Sequence, residues 1–303
     1  MCLKHCKCCY IIVLVIDMKS KKENYFENIL EKNYEIYHYC HDVMPLCNFH
    51  NHEFYEIYFF IDGTVTYCIE EMTFDLMTGD ILIIPPSKMH MPIVSEGVNY
   101  ERIVLWLRRS FIESLDDENH TFSNGLKELR DKGNLLLKLK GKDYSKIIDL
   151  LGDIEKEISL YEENEPLVVA SYITILLANL LRISKLQVKE EKTVANQSIV
   201  PSIIEYINLH LTEKLTSESI AEKFFISKYH LQHIFKEYTN VSLYDYILSK
   251  RIIYAKSLIR HGHNFTDACF TCGFKDYSSF YKAFLTKTGM SPREFKKSIE
   301  KTM

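Results

Sequence analysis

Nine cysteines occur in the 303 residues, yet no spacing among them repeats as a disulfide framework or a zinc-binding set requires. Four of them, Cys2, Cys6, Cys8 and Cys9, crowd into the first nine residues. Cys269 and Cys272 form a C-x-x-C beside Phe265 and Phe270, on a helix-like apolar face that reads as core rather than as a redox pair. Free thiols fit a reducing cytoplasm, the expected location. A long N-terminal apolar run is also missing: Tyr10–Ile16 is seven residues, against about 20 for a membrane helix. Lys4 and Lys7 precede it as in a signal peptide, but no small-residue cleavage site follows, and Asp17, Lys19, Lys21 and Lys22 come at once. Residues 1–17 read as an extension or a disordered segment ahead of a start at Met18, and no membrane partner is expected.

The net charge is small, −4, but it is unevenly placed. From residue 198 onward 15 Lys and Arg face 10 Asp and Glu, a net +5, whereas residues 1–197 carry 22 against 31, a net −9. A basic third joined to an acidic remainder points to a nucleic-acid-binding unit attached to something else. The length suits two domains with cores that need neither disulfides nor metals.

The first part alternates in the strand manner. "YEIYHYC", "YEIYFFI", "VTYCIEE", "MTFDL", "DILIIP" and "ERIVLWL" are short, rich in Ile, Tyr, Val and Phe, and broken by "DG", "TGD" and "PPS". Six or more such strands predict a small β-barrel or sandwich over 18–112. Residues 113–186 read as a helical connector. Ile147, Leu150, Leu151, Ile154 and Ile158 lie at helical spacing, and "LVVASYITILLANLLRISKL" is apolar nearly all round, so it must be buried in its own domain or against a partner. The polar, aperiodic stretch at 187–199 is a linker.

From residue 200 to 303 the pattern is helical and repeats. Ile226 pairs with Phe274 at an offset of 48; Leu231 with Phe280, Phe235 with Phe284, Asn240 with Gly289, Ser242 with Ser291 and Tyr246 with Phe295 follow at 49. Each copy is two helices joined by a short turn, at about 217–238 and 265–288, with "LYDYILSKRIIYAKSLIRHG" as one helix between them. Thr216 or Ser217, Ser227 and Asp276 are the expected caps, and Gly273 sits in the second turn. Apolar residues hold each second helix to the first. Ser227, Lys228, Tyr229, His230, Gln232, His233 and Lys236 in one copy, and Lys275, Asp276, Tyr277, Ser278, Ser279, Tyr281 and Lys282 in the other, remain for phosphates and base edges of DNA.

On these residues the last hundred positions resemble the AraC/XylS-type transcription regulators: Leu215 and "SIAEKF", "LQHIFK", Arg251 and Ala255 in the long helix, "FTDACFTCGF", "SSFYKAF" and "GMSPREF". The resemblance implies an all-α domain with two helix-turn-helix units, promoter DNA as partner, a homodimer, and RNA polymerase as a further partner of an activator. Asn240 replaces the usual Gly, which Asn can do because it tolerates a left-handed backbone. His233 and Leu285 stand where Arg and Lys are common.

The strand-rich part is similar to a cupin barrel. His50, His52 and Glu56 are spaced H-x-H-x3-E with Gly63 beyond, and Gly79, Pro85 and His90 match a second motif, while Met44, Ser87 and Val94 depart from it. In cupins such His and Glu residues converge on a metal. In regulators resembling this chain the same skeleton serves as a sensor. The resemblance therefore implies an effector pocket lined by His50, His52, Glu56 and His90, to which Tyr58, Tyr67, Tyr100 and Arg102 add stacking and charge-assisted bonds for a sugar or small acid. No catalytic residue, cofactor or bound metal is expected on this reading; a metal on His50, His52, Glu56 and His90 is the alternative, as is a metal-dependent cupin oxygenase or isomerase. The expected class is α+β in two domains, a cupin-like barrel with its connector followed by the double helix-turn-helix.

Overall fold

The computed structural model describes residues 30, 32–41, 47–95, 99–160, 166–187 and 198–300. The four N-terminal cysteines, the start at Met18, Met44 and most of the linker at 187–199 lie outside these residues.

Among the described residues, eight strands form two sheets. The larger has the order β1 (Tyr34–His41), β7 (Tyr100–Leu107), β2 (Tyr55–Asp62), β5 (Asp80–Ile84), β8 (Leu136–Lys138), and the smaller β4 (Met72–Asp75), β3 (Val65–Ile69), β6 (His90–Val94). The expected barrel is thus not closed. The outer edge of β5 pairs instead with β8, Asp80–Leu82 opposite Leu136–Lys138, and this contact uses the backbone groups that closure would have needed. β8 lies within the range read from sequence as helical connector.

β2 does not alternate between buried and exposed as expected, because its first six residues are buried on both faces. Tyr55, Ile57 and Phe59 point to one buried cluster, and Tyr58 and Phe60 to another. The first cluster is shared with α1 (Arg109–Ser114), α2 (Thr121–Lys132), α3 (Lys142–Leu160) and α4 (Pro166–Leu186), which cover the outer face of the large sheet. α4 is long and apolar enough to cross a membrane, but Val169, Ile173, Leu176, Leu177 and Leu180 are buried against the sheet. The second cluster fills the space between the sheets.

The C-terminal helices are α5 (Val200–Leu209), α6 (Ser217–Lys223), α7 (Lys228–Thr239), α8 (Leu243–Arg260), α9 (Phe265–Thr271), α10 (Tyr277–Thr288) and α11 (Pro292–Glu300). The repeat holds at the level of elements: α9 begins 48 residues after α6, and α10 begins 49 after α7. Thr216 caps α6 in a capping box with Ser219, Ser227 caps α7 and Asp276 caps α10. Asn240 and Gly289 end α7 and α10 with left-handed backbones, φ 57° and 70°. Gly273 in the second turn (φ 85°) has no room for a side chain, since a Cβ there would lie 2.9 Å from the Thr212 carbonyl oxygen.

The two parts share a core. Cys47, Phe49, Cys68, Met89 and Met91 are buried together with Val200, Ile203 and Ile207 of α5, Leu231 and Phe235 of α7 and Tyr246 of α8. The Phe49 amide donates to the Thr239 carbonyl (3.2 Å), and the Asn240 side chain to the Cys47 carbonyl (3.0 Å). Helices α1–α4, large sheet, small sheet and helices α5–α8 thus form successive layers.

Candidate functional site

The eight pocket residues foreseen from sequence come together between the sheets. His50 and His52 approach β2, Glu56 and Tyr58 lie on it, Tyr67 on β3, His90 on β6, and Tyr100 and Arg102 on β7. Every second residue of a strand faces the same way, so Glu56 and Tyr58 share a side, as do Tyr100 and Arg102. Tyr58 and Tyr100 join hydroxyl to hydroxyl at 2.5 Å, and Tyr67 packs edge-on against Tyr58 with ring centroids 4.9 Å apart. The Arg102 guanidinium lies 4.2 Å from the Tyr100 ring centre and 4.6 Å from that of Tyr39. Burial pushes Tyr58 and Tyr67 well above the usual phenol range and Tyr100 to about 12, so all three stay neutral at physiological pH.

Beside the tyrosines lies a tighter group. Ligand atoms of His52, Glu56 and His90 fall within 4.8 Å of one another, and all three side chains are buried. His52 Nε2 is 3.1 Å from Glu56 Oε2. Burial alone would raise the Glu56 carboxyl, but the hydrogen bond with His52 and the nearby rings of His90 and His50 hold it at about 2. Burial, then the neighbouring His50 and His52, drive His90 well below its ordinary value, so its ring is neutral. His50 stands at the rim, half-buried, its ring centroid 4.4 Å from that of His90, and it exchanges both backbone hydrogen bonds with His90.

Trp106 completes this group and was not foreseen. Its Nε1 donates to Glu56 Oε2 at 3.0 Å, while the Tyr67 hydroxyl donates to Oε1 at 3.3 Å. The signal was available, because Trp106 continues the every-second-residue series of Tyr100, Arg102 and Val104. Ser87 has a left-handed backbone (φ 67°) at the position where the cupin motif has Gly.

At the other end of the molecule, all fourteen side chains assigned to DNA from sequence are exposed. They occupy the N-terminal turns and one face of α7 and α10, while Leu231, Phe235, Phe280 and Phe284 on the opposite side are fully buried. Three are engaged in capping: Ser227 accepts from the His230 amide, and Asp276 accepts from the Ser279 amide and hydroxyl. Lys228 pairs with Glu218 at 2.5 Å. Lys236, Lys275 and Lys282 supply the remaining positive charge of this edge.

Two family models match the chain: an AraC-like ligand binding domain over residues 34–139 and a helix-turn-helix domain over residues 220–298. The chain is similar to the uncharacterized HTH-type transcriptional regulator YdeC of Bacillus subtilis, 26% identical over 255 residues that cover 82% of this chain and 85% of that one. It is also similar to the Msm operon regulatory protein of Streptococcus mutans, 24% identical over 81% of this chain and 85% of the relative. A third relative, the HTH-type transcriptional activator RhaS of Escherichia fergusonii, is 24% identical over 84% and 89%. Among solved structures, ToxT from Vibrio cholerae aligns with 88% of this chain and 98% of its own at 16% identity, with a TM-score of 0.36.

Proposed function

From the premise that the chain belongs to the AraC/XylS-type family of transcription regulators, we propose where its DNA and its effector are held. The protein is an effector-responsive, DNA-binding regulator and not an enzyme, which sets aside the oxygenase or isomerase alternative. In our reading α7 and α10 each enter a major groove of promoter DNA, with Lys236, Lys275 and Lys282 against phosphates and Gln232, Tyr229, Ser278 and Tyr281 toward base edges. The observation that carries this reading is the exposure of all fourteen side chains on two copies of one helix pair. The effector, a small molecule such as a sugar or small acid, enters between the sheets by parting the side chains packed there, and Tyr58, Tyr67, Tyr100 and Arg102 then offer it hydroxyls, ring faces and one positive charge. The outer side of α4 supports a homodimer, and RNA polymerase is the further partner of an activating form. A cytoplasmic location accords with all of these partners.

Fluorescence anisotropy with a fragment selected from a random DNA pool tests the DNA edge. Lys282→Ala and Lys236→Ala weaken binding through lost phosphate attraction, and each lowers the slope of log affinity against log salt by about one. Unchanged affinity and slope in both variants would place the wrong helix edge on the DNA.

A further inference from the structure

Residues 47–54, which lead into β2, touch both helix-turn-helix units. At one end they meet the last turn of α7: the Asn240 side chain donates to the Cys47 carbonyl oxygen (3.0 Å), and the Phe49 amide donates to the Thr239 carbonyl oxygen (3.2 Å). At the other end Glu53 accepts from Lys256 and from Arg260 (2.8 Å), both in the second half of α8. Each of these cations lies over the Phe295 ring, 5.4 Å from its centre. That ring packs against Phe284 of α10 with centroids 5.6 Å apart. A short chain of contacts therefore runs from the end of one recognition helix, through one loop of the sensor, to the core behind the other.

The two units have separate cores, both built on α8. Arg251 of α8 donates to the Leu211 and Glu213 carbonyls of the α5–α6 connection, where Gly273 of the second unit also approaches the Thr212 carbonyl. Arg260 stands nine residues further along α8, about two and a half turns, and so on the opposite side of the helix. Units held along one side of α8 can rock about it, and a contact on the other side removes that freedom. A further link, between Lys287 of α10 and Asp245 of α8 at 3.5 Å, is partly exposed and weak. We infer that residues 47–54 brace the two units against each other, and that Asn240 and Glu53 are positioning residues which fix the angle between α7 and α10 and thereby set the spacing of the two DNA segments that one chain accepts. The inference rests on the reading that both helices enter major grooves, where the separation of half-sites mirrors the geometry of the protein. It also gives Asn240 a role that the usual Gly cannot fill: Gly would end α7 equally well at φ 57°, but it offers no bond to the sensor.

The test uses the full-length protein and a DNA fragment selected from a random pool. Footprints of the wild type, Lys236→Ala and Lys282→Ala assign the segments touched by α7 and α10 of one chain. The spacer between them is then lengthened or shortened by one base pair, which moves one segment by about 3.4 Å and turns it by about 35° relative to the other. Asn240→Gly keeps the left-handed cap of α7 and loses only the bond to Cys47, while Glu53→Gln keeps the side-chain shape and loses the charge. Both leave the Glu70–Lys250 pair in place, and thermal melts show that each variant is folded before titration. The wild type should lose roughly 10-fold or more in affinity on either altered spacer, and the double variant no more than about threefold, with binding at the original spacer within about threefold of the wild type. If the double variant does not melt cooperatively, Asn240→Gly alone decides, since it too should bind the altered spacers more nearly as it binds the original. A wild type indifferent to the spacer, or folded variants as selective as the wild type, would overturn the inference. Failure of the DNA reading itself looks different: protection that neither lysine variant alters.

Discussion

Phe225 and Gly273 hold the same place in the two helix-turn-helix units, and both have left-handed backbones, φ 55° and 85°. Gly273 has no alternative, because a side chain would meet the Thr212 carbonyl and the Arg251 guanidinium. Phe225 has no such neighbour: its ring is 96% exposed and gains nothing by burial. An L-residue in this region costs roughly 1–2 kcal/mol, which Gly avoids at the expense of roughly 0.5–1 kcal/mol of extra chain entropy. Phe225→Gly is therefore expected to stabilise the DNA-binding part by about 0.5–1 kcal/mol, read as a higher urea midpoint at unchanged slope. A lower midpoint would mean that the ring makes a stabilising contact. Asn240 shows the contrast, since at φ 57° it occupies a conformation that its own side chain makes tolerable.

At the scale of elements, the C-terminal helices were legible because their signals are local. Thr216, Ser227 and Asp276 cap helices whose first amides lie three residues away, and Gly273 marks a turn within its own few residues. The sheets were legible as strands but not as pairings. β8 joins β5 across more than fifty residues, so nothing near Leu136–Lys138 announces it, and without it the large sheet looks free to close into a barrel. Motif spacing brought His52, Glu56 and His90 to one interior with His50 at its rim, and Tyr58, Tyr67 and Tyr100 face the same interior with Arg102 stacked at its end; their role toward an effector belongs to the proposal. Trp106 could have been added by the same alternation. α4 was read as apolar nearly all round and buried in its own domain or against a partner; within the chain Leu167, Ile175 and Leu186 stand on its outer side, exposed by 76%, 45% and 74%. If that side joins two copies, Ile175→Asp should raise the dimer dissociation constant at least 10-fold in sedimentation equilibrium while leaving the monomer fold intact. Unaltered association would remove α4 from the dimer contact.

At the scale of the whole molecule, the small sheet is the shared wall between sensor and DNA-binding helices. On β3, Tyr67 and Ile69 face the interior and Cys68 between them packs against the first helix-turn-helix unit; on β6, His90 faces inward and Met91 outward. A shift of either inward residue therefore moves an outward one. Two carboxylates fasten this wall, and no sequence signal marked them, because their cationic partners are some 180 to 207 residues away. Glu53 binds Lys256 and Arg260, the latter at 2.8 Å. Glu70, whose side chain is 1% exposed, accepts from Lys250 (2.7 Å), Asn208 (3.1 Å), Tyr246 (3.4 Å) and the Met89 amide (2.9 Å).

Burial would raise both of these carboxyls, but the neighbouring cations outweigh it: Glu53 is held at about 2 against an ordinary 4.5, and Glu70 is also lowered. A folded value below the unfolded one means stability that is complete above about 4.5 and lost as pH falls toward 2. Acid should thus loosen the seam between the layers through that window. Glu70→Gln reproduces the loss at neutral pH, since it keeps the side-chain shape but leaves the largely buried Lys250 without its counter-charge. Removing one partner of a buried pair costs about 3 kcal/mol or more, whereas replacing both by uncharged groups costs much less. Calorimetry of Glu70→Gln should show the sensor and the DNA-binding helices melting apart, at lower temperature than the joint transition of the wild type. The double variant Glu70→Gln, Lys250→Met should recover a good part of the difference, because no orphaned charge remains. A single variant that melts like the wild type, or a double variant as unstable as the sum of its parts, would show that the Glu70–Lys250 pair does not hold the two halves together.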